Sequence, residues 1–320
     1  MPKEVVTMSV NPSTIQQIIP PRLVSSKKGD NGIVLVIGGS GLYHGAPLLS
    51  TLAALRSGVD LVYTAVPESN VVPLRSFSPS VIVLPLPKDR FSIGSAKHLL
   101  NMLPKKPDVV AMGMGMVIEK PESLIYMIKE FKKMEGTRLL LDASALIPEI
   151  LEHISGTNTV VTPHPGEYKR LFQRENGKNN NNNEVITNTK TTKVLHEQTS
   201  RVHELAKKYS ITIIVKGYNN IICNGSIKKE EEEQQQHHAT AVIGRTTPAM
   251  TVGGCGDVLS GIVAGLLAKM QDSFSASIAG IYLSGIAAKL AYKRVGLHMI
   301  ATDIIDEIPN AMKPFDKIKQ

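Results

Sequence analysis

The sequence predicts an α/β domain in three layers, a mostly parallel β-sheet with helices on both faces, and three observations carry that prediction. Apolar runs of strand length alternate with stretches of helical periodicity along most of the 320 residues. The runs are continuously apolar, as in Ile-Val-Leu-Val-Ile at 33–37, which is how strands covered on both faces read. Glycines and polar residues follow these runs, at the place where such sheets collect ligands, beyond the carboxyl ends of the strands.

Taken in order, Asn11-Pro12 reads as the N-cap and first-turn proline of a short helix that Pro20-Pro21 ends. Lys28-Gly29-Asp30-Asn31-Gly32 is a turn leading into the 33–37 strand. Gly38-Gly39-Ser40-Gly41 follows, and Gly45-Ala46-Pro47 opens a helix running to Arg56. Further strands are expected at 61–66, 81–84, 109–112, 139–141, 160–161 and 211–215, with helices at 96–103, 122–134 and 202–209. Helices at 274–291 and 302–312 close a single domain covering 1–320. Two segments break the pattern: 176–195, with successive asparagines at 179–183, and 229–238, rich in Glu, Gln and His. Neither has the apolar content to bury a core, so both are expected as solvated loop insertions, and His237-His238 as an exposed pair, not a metal site.

Composition narrows the function. Cys223 and Cys255 are too few for a disulfide framework and lack metal-ligand spacing, which suits a reducing interior. The net charge of +8 would suit a polyanion, but the cations are dispersed and Trp is absent, so no stacking platform for nucleic acid stands out. Small phosphorylated ligands explain the charge equally well. No apolar core of a signal peptide opens the chain, and the uncharged run 31–55 is broken by glycines and Pro47, unlike a membrane helix. A cytoplasmic protein without membrane or nucleic-acid partners is expected.

The chemistry centres on Gly253-Gly254-Cys255-Gly256-Asp257. The apolar pairs 258/259, 262/263 and 266/267 that follow keep to one helical face, with Gly261 and Gly265 permitting close packing. A glycine turn thus feeds a buried helix whose first amides converge on one point, an anion hole of Gly254, Cys255 and Gly256. Asp257 at its mouth is well placed to take a proton beside a bound anion. As a mere N-cap or first-turn acid it would stabilise the helix by about 0.5–2 kcal/mol, but capping alone does not call for three glycines.

Two dinucleotide fingerprints fail on detail. After Gly39 and Gly41 the third glycine position is His44, and the acid Asp60 precedes the second strand where it should end it. After Gly113 and Gly115 the third position is Ile118, and no P-loop occurs. In Thr162-Pro163-His164-Pro165-Gly166-Glu167, the prolines hold His164 extended at a strand end, where a ligand-contacting and a structural role are equally open. Lys216-Gly217 places a cation at the same edge, unless it is an ordinary turn lysine.

Together with Lys28-Gly29-Asp30, Gly38-Gly39-Ser40, Tyr43, Gly45-Ala46-Pro47, Gly113-x-Gly115 and Leu141-Asp142-Ala143, these motifs occur in the order seen in NAD(P)H-hydrate dehydratases. The chain resembles that family, part of the ribokinase-like superfamily, over 12–312 apart from the two insertions. Departures are Ser144 where an acid often stands, Cys255 for the usual threonine, and Thr247-Pro248-Ala249-Met250 for the usual Asn-Pro-Gly-Met. The short stretch before the first strand leaves no room for the epimerase domain that many relatives carry.

The resemblance implies ADP- or ATP-dependent dehydration of hydrated NADH and NADPH, with Mg2+ and a homotetrameric assembly. It implies that Ala46, Gly115, His164 and Asp257 face the hydrated nucleotide, with Asp257 as the base. It further implies that Lys216, Gly217, Tyr218, Asn219, Asn220 and Gly256 hold the adenine nucleotide. Two other readings stay open: a vitamin-precursor kinase on the same fold, which would release its phosphate ester intact, and an adenine-nucleotide sensor without turnover.

Overall fold

The computed structural model describes residues 7–175, 192–225, 240–270 and 272–320. Eleven of its helices, among the described residues, are α1 (Pro12–Ile18), α2 (Gly45–Arg56), α3 (Glu68–Phe77), α4 (Ile93–Met102), α5 (Pro121–Lys132), α6 (Leu151–Ile154), α7 (Pro165–Leu171), α8 (Thr192–Tyr209), α9 (Cys255–Lys269), α10 (Ser273–Val295) and α11 (Ala301–Met312). The strands are β1 (Arg22–Leu23), β2 (Ile33–Ile37), β3 (Leu61–Pro67), β4 (Ile82–Leu86), β5 (Val109–Met112), β6 (Arg138–Leu141), β7 (Val160–Val161), β8 (Thr212–Val215), β9 (Asn219–Asn224), β10 (Thr240–Gly244) and β11 (Ile318–Lys319). Short β1 and β11 pair in parallel, apart from the main sheet.

The main sheet runs β10-β9-β8-β7-β6-β5-β2-β3-β4, parallel except for β9, which is antiparallel to both its neighbours. Alternation along each strand feeds two cores, as expected of strands buried on both faces. Val34 and Val36 pack towards α2, α9, α10 and α11, while Ile33, Leu35 and Ile37 pack towards α4, α5 and α7. Mostly parallel pairing and helices on both faces are therefore as the sequence predicts. The 219–224 and 240–244 strands, which the sequence analysis passes over, form an antiparallel hairpin at one edge.

Several boundaries differ from expectation. Residues 192–195, assigned above to the loop insertion, form the first turn of α8. Leu195, Thr199, Val202, Leu205 and Ala206 recur at helical spacing along that helix, and the last four are buried. The rest of that insertion, 176–191, and the whole of 229–238 with His237 and His238 lie outside the described residues. α10 is long and apolar enough to cross a membrane, but 72% of its apolar 18-residue window is buried inside the domain, so it is a core helix.

The element that positions the site is α9, which lies parallel to α2. A Cβ on Gly261 would stand 2.2 Å from the Ser50 carbonyl oxygen, and one on Gly265 would stand 2.8 Å from Ser57 Cβ. Those glycines let the two backbones meet, and Ser50 Oγ donates to the Asp257 carbonyl at 2.8 Å. Both helix N-termini consequently emerge at the same end, beyond the carboxyl ends of the strands.

Candidate active site

Gly254 is the N-cap of α9, in a left-handed conformation with φ of 93°. A Cβ there would come within 2.6 Å of Leu49 Cδ1, so both conformation and space require glycine. No side chain caps α9; the Cys255 amide, expected as part of the anion hole with Gly254 and Gly256, instead donates to the Val252 carbonyl at 3.4 Å, whereas the amides of Gly256 and Asp257 have no acceptor among the described residues. They form an uncapped, partly positive helix start of the kind that binds anions. Asp257 is the third residue of the helix and caps nothing, which sets aside the N-cap reading.

Burial, above all, and then the negative charges of Asp142 and Glu167 push the Asp257 carboxyl up to about 6, against an opposing pull from Lys216. A carboxylate with that proton affinity is suited to taking a proton near neutral pH. Burial, followed by the Asp257 charge, raises the Cys255 thiol to about 11, so it stays protonated and unreactive.

Lys216 directly follows β8 with its side chain 17% exposed, and its Nζ lies 2.7 Å from Asp142 Oδ1 and 4.0 Å from Glu167 Oε2. The ammonium also lies 3.4 Å from where a Cβ on Gly256 would be, over the first turn of α9. Asp142 follows β6, and its Oδ2 accepts from Ser260 Oγ at 2.6 Å. Glu167 Oε2 in turn accepts from the His164 amide at 2.8 Å. The cluster thus draws on the ends of β6 and β8 and on α7 and α9.

His164 is the N-cap of α7, with Nδ1 accepting from the amides of Gly166 at 3.0 Å and Glu167 at 3.2 Å. Its ring is 57% exposed, with Nε2 lying 3.4 Å from Glu167 Oε1, so it supports the turn structurally while leaving one side open to solvent. Ala46 lies in the first turn of α2, and Gly115 beyond β5 packs against it: a Gly115 Cβ would meet Ala46 Cβ at 3.1 Å and Tyr43 Cβ at 2.8 Å. The two small residues thus pack together at the start of α2.

On the other side of Lys216, a cavity of about 270 Å³ is lined by Lys216, Gly217, Asn220, Cys255 and Gly256, with apolar walls from Pro165, Met250, Leu259 and Ile281. Asn220 ties the β8–β9 turn, accepting from the Gly217 amide at 3.3 Å and donating to the Ile243 carbonyl at 3.0 Å. Asn219 pairs with Gly244 in the hairpin, while Tyr218 stands outside the cavity wall with its ring 5.9 Å from the Arg245 guanidinium. Thr247 caps the short turn at Pro248–Thr251 through the Ala249 amide.

A larger cavity, about 730 Å³, opens at the opposite end of the sheet around the last turns of α2, α9 and α11. Three of its five cations, Arg56, Lys269 and Lys313, sit at those helix ends, and half-buried Lys269, pushed down to about 8 chiefly by desolvation, donates to the Ser57 carbonyl. Cations there complement helix C-termini, so the cavity does not compete with α9 as the reacting centre.

The sequence profile of the NAD(P)H-hydrate dehydratase family matches residues 34–310. The chain belongs to that family. It is 45% identical over 304 residues to the ADP-dependent (S)-NAD(P)H-hydrate dehydratase of Nitrosopumilus maritimus, covering 95% of this chain and 96% of that protein. Among solved structures, a ribokinase-like superfamily protein from Enterococcus faecalis superposes with a TM-score of 0.73 at 21% identity, covering 96% of each chain. The ADP/ATP-dependent NAD(P)H-hydrate dehydratase of Bacillus subtilis, co-crystallised with ATP/Mg2+, gives 0.71 at 22% identity, covering 94% of this chain and 96% of that one. The fold is therefore ribokinase-like, as the sequence analysis expected.

In this member of the dehydratase family, the structure brings together Asp257, the α9 amides, Lys216, Ala46 and Gly115 at one end of the sheet. It also adds residues to which sequence reasoning gave no role: Asp142, Glu167, Ser260 and Ser50. The available signal was positional, since Asp142 is an acid that directly follows an apolar strand. Asp60, the acid of the failed fingerprint, lies at the start of β3, bound to Arg22 and to the Gly29 and Asn31 amides, away from the strand ends that carry the site.

Proposed function

We propose that this protein repairs hydrated nicotinamide cofactors, dehydrating (S)-NADHX and (S)-NADPHX to NADH and NADPH at the expense of an adenine nucleotide. The observation that carries the reading is Asp257, a carboxylate raised to about 6 on the first turn of an uncapped helix, with a lysine ammonium over the same amides. The Nitrosopumilus relative's name favours ADP as the donor over ATP.

The substrate carries a hydroxyl on ring carbon 6, beside the ring nitrogen, and hydroxide is a poor leaving group. Asp257 takes the hydroxyl proton as the oxygen attacks the terminal phosphoryl group; the P–O bond to the nucleotide breaks and AMP leaves if the donor is ADP. The amides of Gly256 and Asp257 and the ammonium of Lys216 face the negative charge spread over the transferring group. The nitrogen lone pair then expels phosphate from carbon 6, a proton leaves carbon 5, and the dihydronicotinamide ring is restored. Ala46 and Gly115 would accept the flat ring, His164 would bound it, and the cavity between Lys216 and Leu259 would take the nucleotide. Gly217, Tyr218, Asn219 and Asn220 would hold that nucleotide's outer edge.

Among the described residues no three His, Cys, Asp or Glu side chains converge as a metal cage, and both oxygens of Asp142 already have partners. That donor set fits Mg2+ carried on the nucleotide's phosphate oxygens with water, the usual preference of the ion. It would supply charge neutralisation to the phosphates. The reading includes a cytoplasmic protein with 1–320 as one catalytic domain. It also includes a homotetramer, for which exposed Val72, Phe77 and Ile82 near the β4 edge offer apolar surface and a sedimentation measurement supplies the test.

Incubation with hydrated NADH and ADP or ATP tests the function. Recovered reduced-nicotinamide absorbance with stoichiometric phosphate is expected. A stable phosphate ester would assign a kinase, and nucleotide binding without turnover would assign a sensor.

A further inference from the structure

The Asp142 side chain is 2% exposed and fully engaged. Its Oδ1 receives Lys216 Nζ at 2.7 Å and the Ala143 amide at 2.8 Å, and its Oδ2 receives Ser260 Oγ at 2.6 Å. The turn that carries it is held in an unusual shape: Ala143 has a φ of 50°, and its carbonyl accepts from Arg170 Nη2 at 3.0 Å. A non-glycine residue in that region is strained and persists where its surroundings enforce it. Asp142 is thus a fixed anchor, and what it anchors is the ammonium lying over the start of α9.

An untethered lysine there would have two other carboxylates to turn to, Glu167, already 4.0 Å away, and Asp257. Asp257 follows Gly256 directly, and an ion pair between Lys216 and Asp257 would weaken the base and draw the cation off the amides. We propose that Asp142 is a positioning residue that tethers Lys216 over the α9 amides and keeps it from closing an ion pair with Asp257. The inference rests on Asp257 as the base of the proposed dehydration, and it extends that reading to a residue that touches neither substrate nor nucleotide.

The groups facing Asp257 are Asp142 from the end of β6, Glu167 from α7, Lys216 from the end of β8 and the Cys255 thiol on its own helix. α2 presents Ser50, which does not titrate. Two opposite displacements follow. Asp142→Asn removes a negative neighbour and frees the lysine, both of which favour the ionised base. Lys216→Met removes the cation and favours the protonated base.

The test is a carboxyl-carbon NMR titration of Asp257 in the ligand-free wild type and both variants, with kcat/KM against pH alongside. In Asp142→Asn the midpoint and the acid limb should fall by roughly one pH unit, and in Lys216→Met they should rise by about as much. Asp142→Asn should also lower kcat more than it raises KM. Loss of the Asp142 charge alone already lowers the Asp257 midpoint, so the tether itself is read from Ser260→Ala, which loosens the anchor and leaves every charge in place. An unmoved or raised midpoint in Asp142→Asn, or shifts of the same sign in both variants, would overturn the proposal. Whether or not Asp142→Asn folds, Ser260→Ala should give a smaller downward shift, and no shift would overturn the tether. The titration needs no turnover, so a wild type that regenerates no reduced nicotinamide defeats the proposed function while the tether is still decided.

Discussion

The hydroxyl of Ser50 on α2 donates to the main-chain carbonyl of Asp257 on α9 across 2.8 Å, linking the helix that carries Ala46 to the helix that carries Asp257. Ser50 is fully buried, so nothing replaces that bond when it is lost. Ser50→Ala should lower stability by about 1 kcal/mol and reduce kcat severalfold, with nucleotide affinity close to wild type. Thermal unfolding and steady-state kinetics on the same preparation would check both.

Asp257→Asn should abolish regeneration of reduced nicotinamide while nucleotide still binds. Calorimetric titration with ADP alongside the turnover assay separates the two, and retained turnover would remove Asp257 from its role.

The same substitution has a pH-dependent stability signature. The folded carboxyl titrates near 6 and its ordinary value is 3.8, so the folded state binds more protons between those limits. Wild-type stability contributed by this group therefore falls as pH rises from about 4 to about 6. Asp257→Asn lacks that loss, so its Tm relative to wild type should climb across the same window. The limiting difference is of order 1–3 kcal/mol, reduced by partial solvent screening.

Activity should follow ionisation of the base. In wild type, kcat/KM is expected to rise with pH through about 6 as Asp257 loses its proton, since a protonated carboxyl cannot accept the substrate's. A flat profile from pH 5 to 8 would contradict general-base action there.

Gly115→Ala tests the proposed substrate side. Its φ is 65°, and the added Cβ would stand 2.8 Å from both Cβ and the carbonyl oxygen of Tyr43. Strain and crowding should cost about 1–2 kcal/mol and raise KM for the hydrated nucleotide more than KM for ADP. Initial rates at varied concentrations of each substrate would show the asymmetry.

What could be read in advance follows the range over which each signal acts. β2, β3 and β5 are unbroken apolar runs and α9 is a glycine turn leading into a periodic helix, so each is legible within about fifteen residues. The β9–β10 hairpin is not: Asn219 and Asn220 open it with polar residues, and its two strands are separated by the 225–239 stretch. α3 is disguised by Pro73 within it. The Asp142 anchor was out of reach for a different reason. Its partners Lys216 and Ser260 are 74 and 118 residues away in sequence, and only the order of strands in the sheet makes them neighbours.

Where Gly261 lies against the Ser50 carbonyl there is no side chain to act as a bearing, so α2 and α9 behave mechanically as one plate. Any opening to release a product then falls to the loop between β2 and α2, where Leu42 and Tyr43 stand 75% and 56% exposed beside Gly115. Efforts to speed product escape should be directed at that loop, because bulk added along the seam would pry apart the two helices that carry Ala46 and Asp257.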